Sequence, residues 1–270
     1  MGVDGDLEAT TARLRGAGCV AAREEAAELV AAAGGDVVAL RELVARRCSG
    51  EPLAWLTGSV RFCDETVFVR PGVYVPRRQS ERLALEAVAR LPKHGVAVDL
   101  CTGTGAIAVV LVRRRPLARV VASEIDPLAA ACARANGVEV FEGDMAASLP
   151  AGLRGRVDVV TAVVPYVPTS ELRLLARDVV AYEPRGALDG GAAGTVFLVR
   201  AVLEATPLLR PGGSLLLELG GDEADVLKPV LAENGYREVE LLVDEEGDPR
   251  ALVCRRWAPA RRLGVGRRRA

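Results

Sequence analysis

From Val96 onward, short continuous apolar runs alternate with stretches of helical periodicity, and this alternation most limits how the chain can fold. VAVDL (96–100), RVVASE (119–124), VEVFE (138–142) and VDVVTAVV (157–164) each read as a buried strand. Residues 106–115 and 128–136 carry helical spacing between them. Strands without polar alternation need cover on both faces, and the intervening helices supply it. The expectation is an α/β fold, Rossmann-like, with a mostly parallel sheet. Residues 197–209 continue as a helix and SLLLEL (214–219) as a strand. REVELLV (237–243) and ALVCR (251–255) flank the turn-rich EEGDP, which predicts an antiparallel hairpin closing the sheet.

The segment upstream is organised differently. Residues 7–48 are rich in Ala, Leu, Arg and Glu, with Ala26, Leu29, Val30 and Ala33 at helical spacing and a break at Gly34-Gly35. We expect a small N-terminal helical region over 1–49, serving as a packing cap or a docking surface for substrate. Gly50, Pro52, Gly58, Pro71 and Gly72 punctuate short stretches such as Thr66-Val67-Phe68-Val69, so 50–80 reads as a β-hairpin linker. The main domain then spans 81–257. Arg261, Arg262, Arg267, Arg268 and Arg269 crowd the remainder, 258–270, which reads as a disordered basic tail, with weak RNA or ribosome contact as its minority role.

Bulk properties narrow the setting. A formal net charge of −1 gives no general drive toward nucleic acid. The cysteines at 19, 48, 63, 101, 132 and 254 are widely spaced with no C-x-x-C pair, so neither zinc spacing nor a disulfide framework is indicated. No apolar run approaches the ~18 residues of a membrane span, and the acidic N-terminus has no signal-peptide core. A reducing cytoplasm is the expected setting. His94, in a polar stretch before a strand, reads as a surface residue rather than a general base.

The chemistry concentrates at 99–105. A strand ends at Asp99-Leu100, Gly103-Thr104-Gly105 follows, and a helix starts, which lets backbone approach a ligand at a sheet switch point. Gly103-x-Gly105-x-x-Ala108 also satisfies the dinucleotide fingerprint, so the loop alone does not choose a ligand. Charge favours one of the two. An acid just upstream would repel a pyrophosphate at the helix N-terminus, whereas S-adenosylmethionine carries an ammonium and a sulfonium that suit Asp99. Glu124, 25 positions later at a strand end, can accept from ribose hydroxyls in either case. Asp144, in GDM, could accept from an adenine amino group. Asp99 and Asp144 could instead simply cap helices or turns.

Several blocks in order resemble one family. GEPLAWLTGSVRF (50–62), VPRRQSE (75–81), DLCTGTGAIA (99–108), ASEIDPLAAACARAN (122–136), EPRGALDGGAAG (183–194) and LLLELG (215–220) are similar to segments of the HemK-type protein-(glutamine-N(5)) methyltransferases. So is the ending Asp244, Gly247, Arg250. The resemblance runs from about 50 to 255. It implies a class I methyltransferase fold and S-adenosylmethionine held by Asp99, Cys101, Thr102, Gly103, Gly105, Glu124 and Asp144. It implies an acceptor site at Val163, Val164, Pro165 and Tyr166, with Arg77 and Glu81 shaping a substrate channel, although those two could instead form a surface ion pair. The implied substrate is the Gly-Gly-Gln loop of a peptide release factor, or another protein. The short N-terminus and PYVPT (165–169) resemble a related branch whose substrate is unassigned.

One departure bears on chemistry. The family carries Asn-Pro-Pro-Tyr, or Asn-x-Pro-Tyr, where this chain has Val163-Val164-Pro165-Tyr166. The resemblance implies that the asparagine side-chain carbonyl and the next backbone carbonyl accept from the acceptor amide. Valine offers shape and no acceptor. Two other readings therefore stand beside glutamine methylation: transfer to a different, better nucleophile, and cofactor binding without catalysis.

Overall fold

The structure is a computed structural model that describes residues 3–221 and 223–257, so the basic tail expected at 258–270 lies outside it. Three helices open the chain: α1 (Val3–Gly16), α2 (Ala22–Ala33) and α3 (Val37–Cys48). Gly34 ends α2 in the left-handed conformation, where a Cβ is penalised. Asp36 starts α3 by accepting from the backbone N–H groups of Val38 and Ala39. Their apolar faces bury Leu14, Ala26, Leu29, Leu40 and Val44 in a core of their own.

Next come α4 (Leu53–Thr57) and the hairpin β1 (Ser59–Phe62) and β2 (Glu65–Phe68). Cys63 and Asp64 form its two-residue turn, both at positive φ, the geometry that matches the twist of tight hairpins. The sequence reading of 50–80 as a hairpin linker did not anticipate α4, because five residues are too few to show periodicity. Helix α5 (Ser80–Arg90) leads into the main sheet.

That sheet is built from β3 (Val96–Leu100), β4 (Arg119–Glu124), β5 (Glu139–Glu142), β6 (Val157–Ala162), β7 (Leu209–Glu218), β8 (Tyr236–Val243) and β9 (Pro249–Arg256). Its seven strands run in the order β5-β4-β3-β6-β7-β9-β8. The pairs β5–β4, β4–β3, β3–β6 and β6–β7 are parallel, and β7–β9 and β9–β8 antiparallel. Helices α6 (Ala106–Arg114), α7 (Pro127–Ala135), α8 (Arg177–Tyr182), α9 (Val196–Ala205) and α10 (Glu223–Glu233) complete the domain. Two apolar layers flank the sheet, one with Leu83, Val110 and Leu216 and the other with Leu198, Leu217 and Leu227.

This is the α/β architecture expected, with one refinement. The C-terminal hairpin does not simply extend the sheet; its last strand, β9, inserts beside β7 and leaves β8 at the edge. The chain leaves β3 toward β4 and β5 and returns to β6 on the other side, so the switch point lies between β3 and β6. Ligands of open α/β sheets bind outside the strand C-termini at such a point.

Asn136, at the end of α7, ties three parts together. Its amide donates to the carbonyls of Phe68 and Thr104, and its carbonyl accepts from Phe68 N–H at 2.8 Å. The hairpin is thereby fastened to the loop after β3. Replacing Asn136 with alanine should cost about 1–2 kcal/mol, since Phe68 N–H and Thr104 O lose this partner while Phe68 O keeps the Cys132 thiol. A fall in the urea midpoint with an unchanged m-value checks this.

Candidate active site

The ends of β3, β4 and β6 and the segments crossing them enclose a cavity of about 690 Å³. One end is rimmed by Gly103, Glu124, Asp126 and Asp144, the other by Val163, Val164, Pro165 and Tyr166 with Arg77, Arg78 and Gln79. A smaller recess, reached past Cys101, Gly103 and Val163, has Asp99 and Thr102 in its wall.

Asp99 sits on β3 in the sheet interior, 2 % exposed. Its two oxygens accept from the Thr161 hydroxyl at 2.6 Å and the Thr102 hydroxyl at 2.5 Å. Burial pushes its carboxyl up to about 6, while these two hydroxyls pull the other way and Glu124 adds to the rise. Glu124 closes β4. Its oxygens accept from Gly103 N–H at 2.8 Å and Asp126 N–H at 3.0 Å, and burial raises its carboxyl as well.

The two glycines of the loop do different jobs. Gly103, at φ +58, faces the cavity with nothing near where a Cβ would stand. Gly105 is not at the ligand face. A Cβ there would lie 3.0 Å from Val138 Cγ2 and 3.1 Å from Ala133 Cβ, so Gly105 lets α6 pack against α7. Cys101 also adopts positive φ, at 55°, and burial pushes its thiol up to about 12, making it an apolar wall between the two cavities.

Asp144 heads a short 3-10 turn at Met145–Ser148 and pairs with Arg200 at 3.0 Å. It lines the cavity, half-exposed. His94 lies exposed before β3, far from any role in the cavity wall. All six cysteines are free thiols.

At the other end, the sequence reading carried the fourth strand through Val164. The structure ends β6 at Ala162, and Val163–Tyr166 leaves the sheet as a wall of the cavity. Pro165 has no N–H to extend a ladder. Gly190 holds this wall in place, because a Cβ there would fall 2.7 Å from Tyr166 Cα. The Tyr166 hydroxyl donates to Glu218 Oε1 at 3.0 Å and accepts from the Gln79 amide at 2.8 Å.

Arg77 and Glu81 separate. Arg77 lines the cavity, stacks over Tyr74 at 4.8 Å and pairs with Glu183 at 2.5 Å. Glu81 does not line it and does not pair with Arg77; its carboxylate accepts from Cys63 N–H at 3.1 Å, bracing the hairpin turn. The resemblance implied a shared role for the two, but Arg77 precedes α5, which begins at Ser80, and Glu81 lies within it. Glu183 is almost wholly buried, with burial pushing its carboxyl up and Arg77 drawing it down. Arg77→Ala should therefore cost about 2–3 kcal/mol by stranding that carboxylate, somewhat less than for a fully buried pair. Chemical denaturation measures it, and Arg77→Lys should recover only part because the planar stack on Tyr74 is lost.

Thr161, Gln79, Glu183 and Glu218 were not singled out in the sequence. Each acts across more than 60 residues of chain, and only the hydroxyl of Thr161 on a buried strand hinted at a partner. The Asp244, Gly247, Arg250 ending is a clasped turn: Asp244 accepts from the N–H groups of Glu246 and Asp248 and pairs with Arg250 at 2.6 Å. Among the described residues, no helix is long and apolar enough to cross a membrane.

The arrangement suits a cationic ligand. Carboxylates surround the glycine turn, and the Gly103 N–H that a phosphate would use is already given to Glu124. No protein-family model matches the chain. The "Methyltransferase from Pyrococcus furiosus" shares the fold, with a TM-score of 0.53 and 22 % identity over 71 % of this chain and 89 % of that one. Sequence relatives are nearer. The release factor glutamine methyltransferase of Geobacter sulfurreducens is 36 % identical over 80 % of this chain and 78 % of its own length. That of Mycolicibacterium smegmatis is 37 % identical over 93 % of this chain and 97 % of its own length. With its sheet order, its acid-rimmed cavity and this identity over most of both lengths, the chain belongs to the release factor glutamine methyltransferase family.

Proposed function

We propose that the chain transfers a methyl group from S-adenosylmethionine to the side-chain amide nitrogen of a glutamine in a peptide release factor, in the cytoplasm. The observation that carries this reading is a single cavity lined by the carboxylates of Glu124, Asp126 and Asp144 and by Val163, Pro165 and Tyr166. The relatives' names favour glutamine over a small-molecule acceptor and over loss of catalysis.

The residues fit the donor. Asp99 and Glu124 supply negative charge beside the one loop glycine that leaves open space, and Ile125 offers an exposed apolar surface at the same rim. When bound, S-adenosylmethionine supplies a methyl group made electrophilic by its sulfonium. Asp99 would answer its ammonium, Glu124 its ribose hydroxyls and Asp144 its adenine. The chain's task at the other end is positioning, since a planar amide is a weak nucleophile. Val163 and Val164 present backbone carbonyls that can accept from the amide N–H, and Tyr166 closes the wall beside them. Arg78 lines the cavity beside Arg77, whose charge is matched by Glu183.

Incubation with S-adenosylmethionine and a release factor, followed by peptide mass mapping, tests the reading. One methyl on the Gly-Gly-Gln glutamine is the expected result. Donor binding with the release factor unmodified would overturn the substrate assignment while leaving the cofactor site intact.

A further inference from the structure

Glu218 is a carboxylate without an evident task. It ends β7 beneath the acceptor wall, 1 % exposed. One oxygen, Oε1, accepts from the Tyr166 hydroxyl at 3.0 Å and from the Gln79 amide at 3.0 Å. The other, Oε2, has no partner. Among the described residues the buried side-chain atoms without a partner are Thr104 Oγ1, Ser123 Oγ and Glu218 Oε2, and only the last belongs to an ionisable group. Burying a carboxylate with half its accepting capacity unspent is costly.

Three constraints meet on that tyrosine. Gly190 presses on its backbone. Gly220 lies under its ring, where a Cβ would stand 2.7 Å from Cδ2. Glu218 and Gln79 hold its hydroxyl. The neighbouring Val163 contributes no polar group. The hydroxyl gives its proton to Glu218 and takes one from the Gln79 amide, so both of its hydrogen-bonding directions are fixed.

We propose that Glu218 is a positioning residue that, with Gln79, fixes the Tyr166 ring at the acceptor end and so supplies the orientation that Val163 cannot give by hydrogen bonding. This rests on the glutamine reading above. The acceptor then meets a rigid aromatic wall and the backbone carbonyls of Val163 and Val164, rather than a side-chain amide.

The test combines kinetics with 19F NMR of the full chain labelled with 3-fluorotyrosine. Its four tyrosines give four resonances, and the one lost in Tyr166→Phe is Tyr166. Glu218→Gln, which keeps one acceptor oxygen but sets an amide donor among the Tyr166 and Gln79 groups, should lower kcat for release factor methylation about 10-fold, with KM for the methyl donor unchanged. Tyr166→Phe should do the same, and the double variant should be no worse than either, because both weaken one link. In Glu218→Gln the Tyr166 resonance should shift or broaden while the other three hold. Gln79→Ala, at the exposed rim, repeats the test if Glu218→Gln fails to fold. Multiplying kinetic losses, a matching rise in donor KM, or an unmoved Tyr166 resonance would each overturn the proposal. If the wild type leaves glutamine unmethylated, the substrate reading falls, and the NMR result alone decides whether Glu218 fixes the ring.

Discussion

Replacing Asp99 with asparagine should weaken methyl-donor binding about 10- to 100-fold at pH 7.5, the worth of one charge-assisted contact. It should also flatten the pH dependence of that binding. Asp99 is buried, and burial pushes its carboxyl up to about 6, so it becomes charged only as pH rises through that value. A cationic donor binds the ionised form better. Wild-type affinity should therefore fall as pH drops through 6, whereas Asp99→Asn should show little change there. Calorimetric titration at pH 5, 6, 7 and 8 reads both effects. A wild-type profile as flat as the variant's would remove Asp99 from the cationic end of the site.

Stability of the ligand-free protein should run the opposite way. The folded-state value near 6 stands above the ordinary aspartate value of 3.8, so the group's contribution is full below 3.8 and is lost as pH rises through 6. Wild type should gain on the order of 3 kcal/mol relative to Asp99→Asn between pH 7 and 4. Glu124, also raised by burial, is present in both proteins, so only its coupling to Asp99 enters the comparison.

How much of this was legible in the sequence follows from the range of each interaction. Continuous apolar strands separated by helices already implied a covered parallel sheet, and Asp99, Gly103 and Glu124 lie on one strand–loop–strand unit whose geometry is local. The blocks around them carried the family resemblance for the same reason. Long-range pairings were invisible: Gln79, Tyr166 and Glu218 meet across separations of up to 139 residues, and nothing periodic links them. Gly105 was read as a ligand contact, but the same residue type satisfies helix packing, and only the positions of Ala133 and Val138 distinguish the two. Glu81 turns to the hairpin at Cys63, 18 residues away, a placement that the local motif around it does not reveal. The end of β6 was read two residues late, since Val163 and Val164 are as apolar as the strand they leave.

Val163→Asn should raise kcat for glutamine methylation about 10- to 100-fold, restoring part of the ~3–4 kcal/mol that one oriented acceptor contributes to a transition state. Val163 borders both cavities, so a carbonyl on its side chain would open toward the acceptor end. It also packs against the apolar layer with Leu83 and Leu216, so the exchange should cost about 1 kcal/mol of stability. Donor affinity should stay within about twofold, because the carboxylates that bind the donor are untouched. Single-turnover rates with a release factor, read beside donor titrations, measure each term. An unchanged rate would mean that backbone carbonyls and the fixed Tyr166 ring already orient the amide fully. An increased rate makes a second demand: Glu218→Gln should then cost less in the Val163→Asn background than in wild type, since two devices for one orientation are partly redundant. Equal costs in both backgrounds would mean that the asparagine and the carboxylate act on different steps.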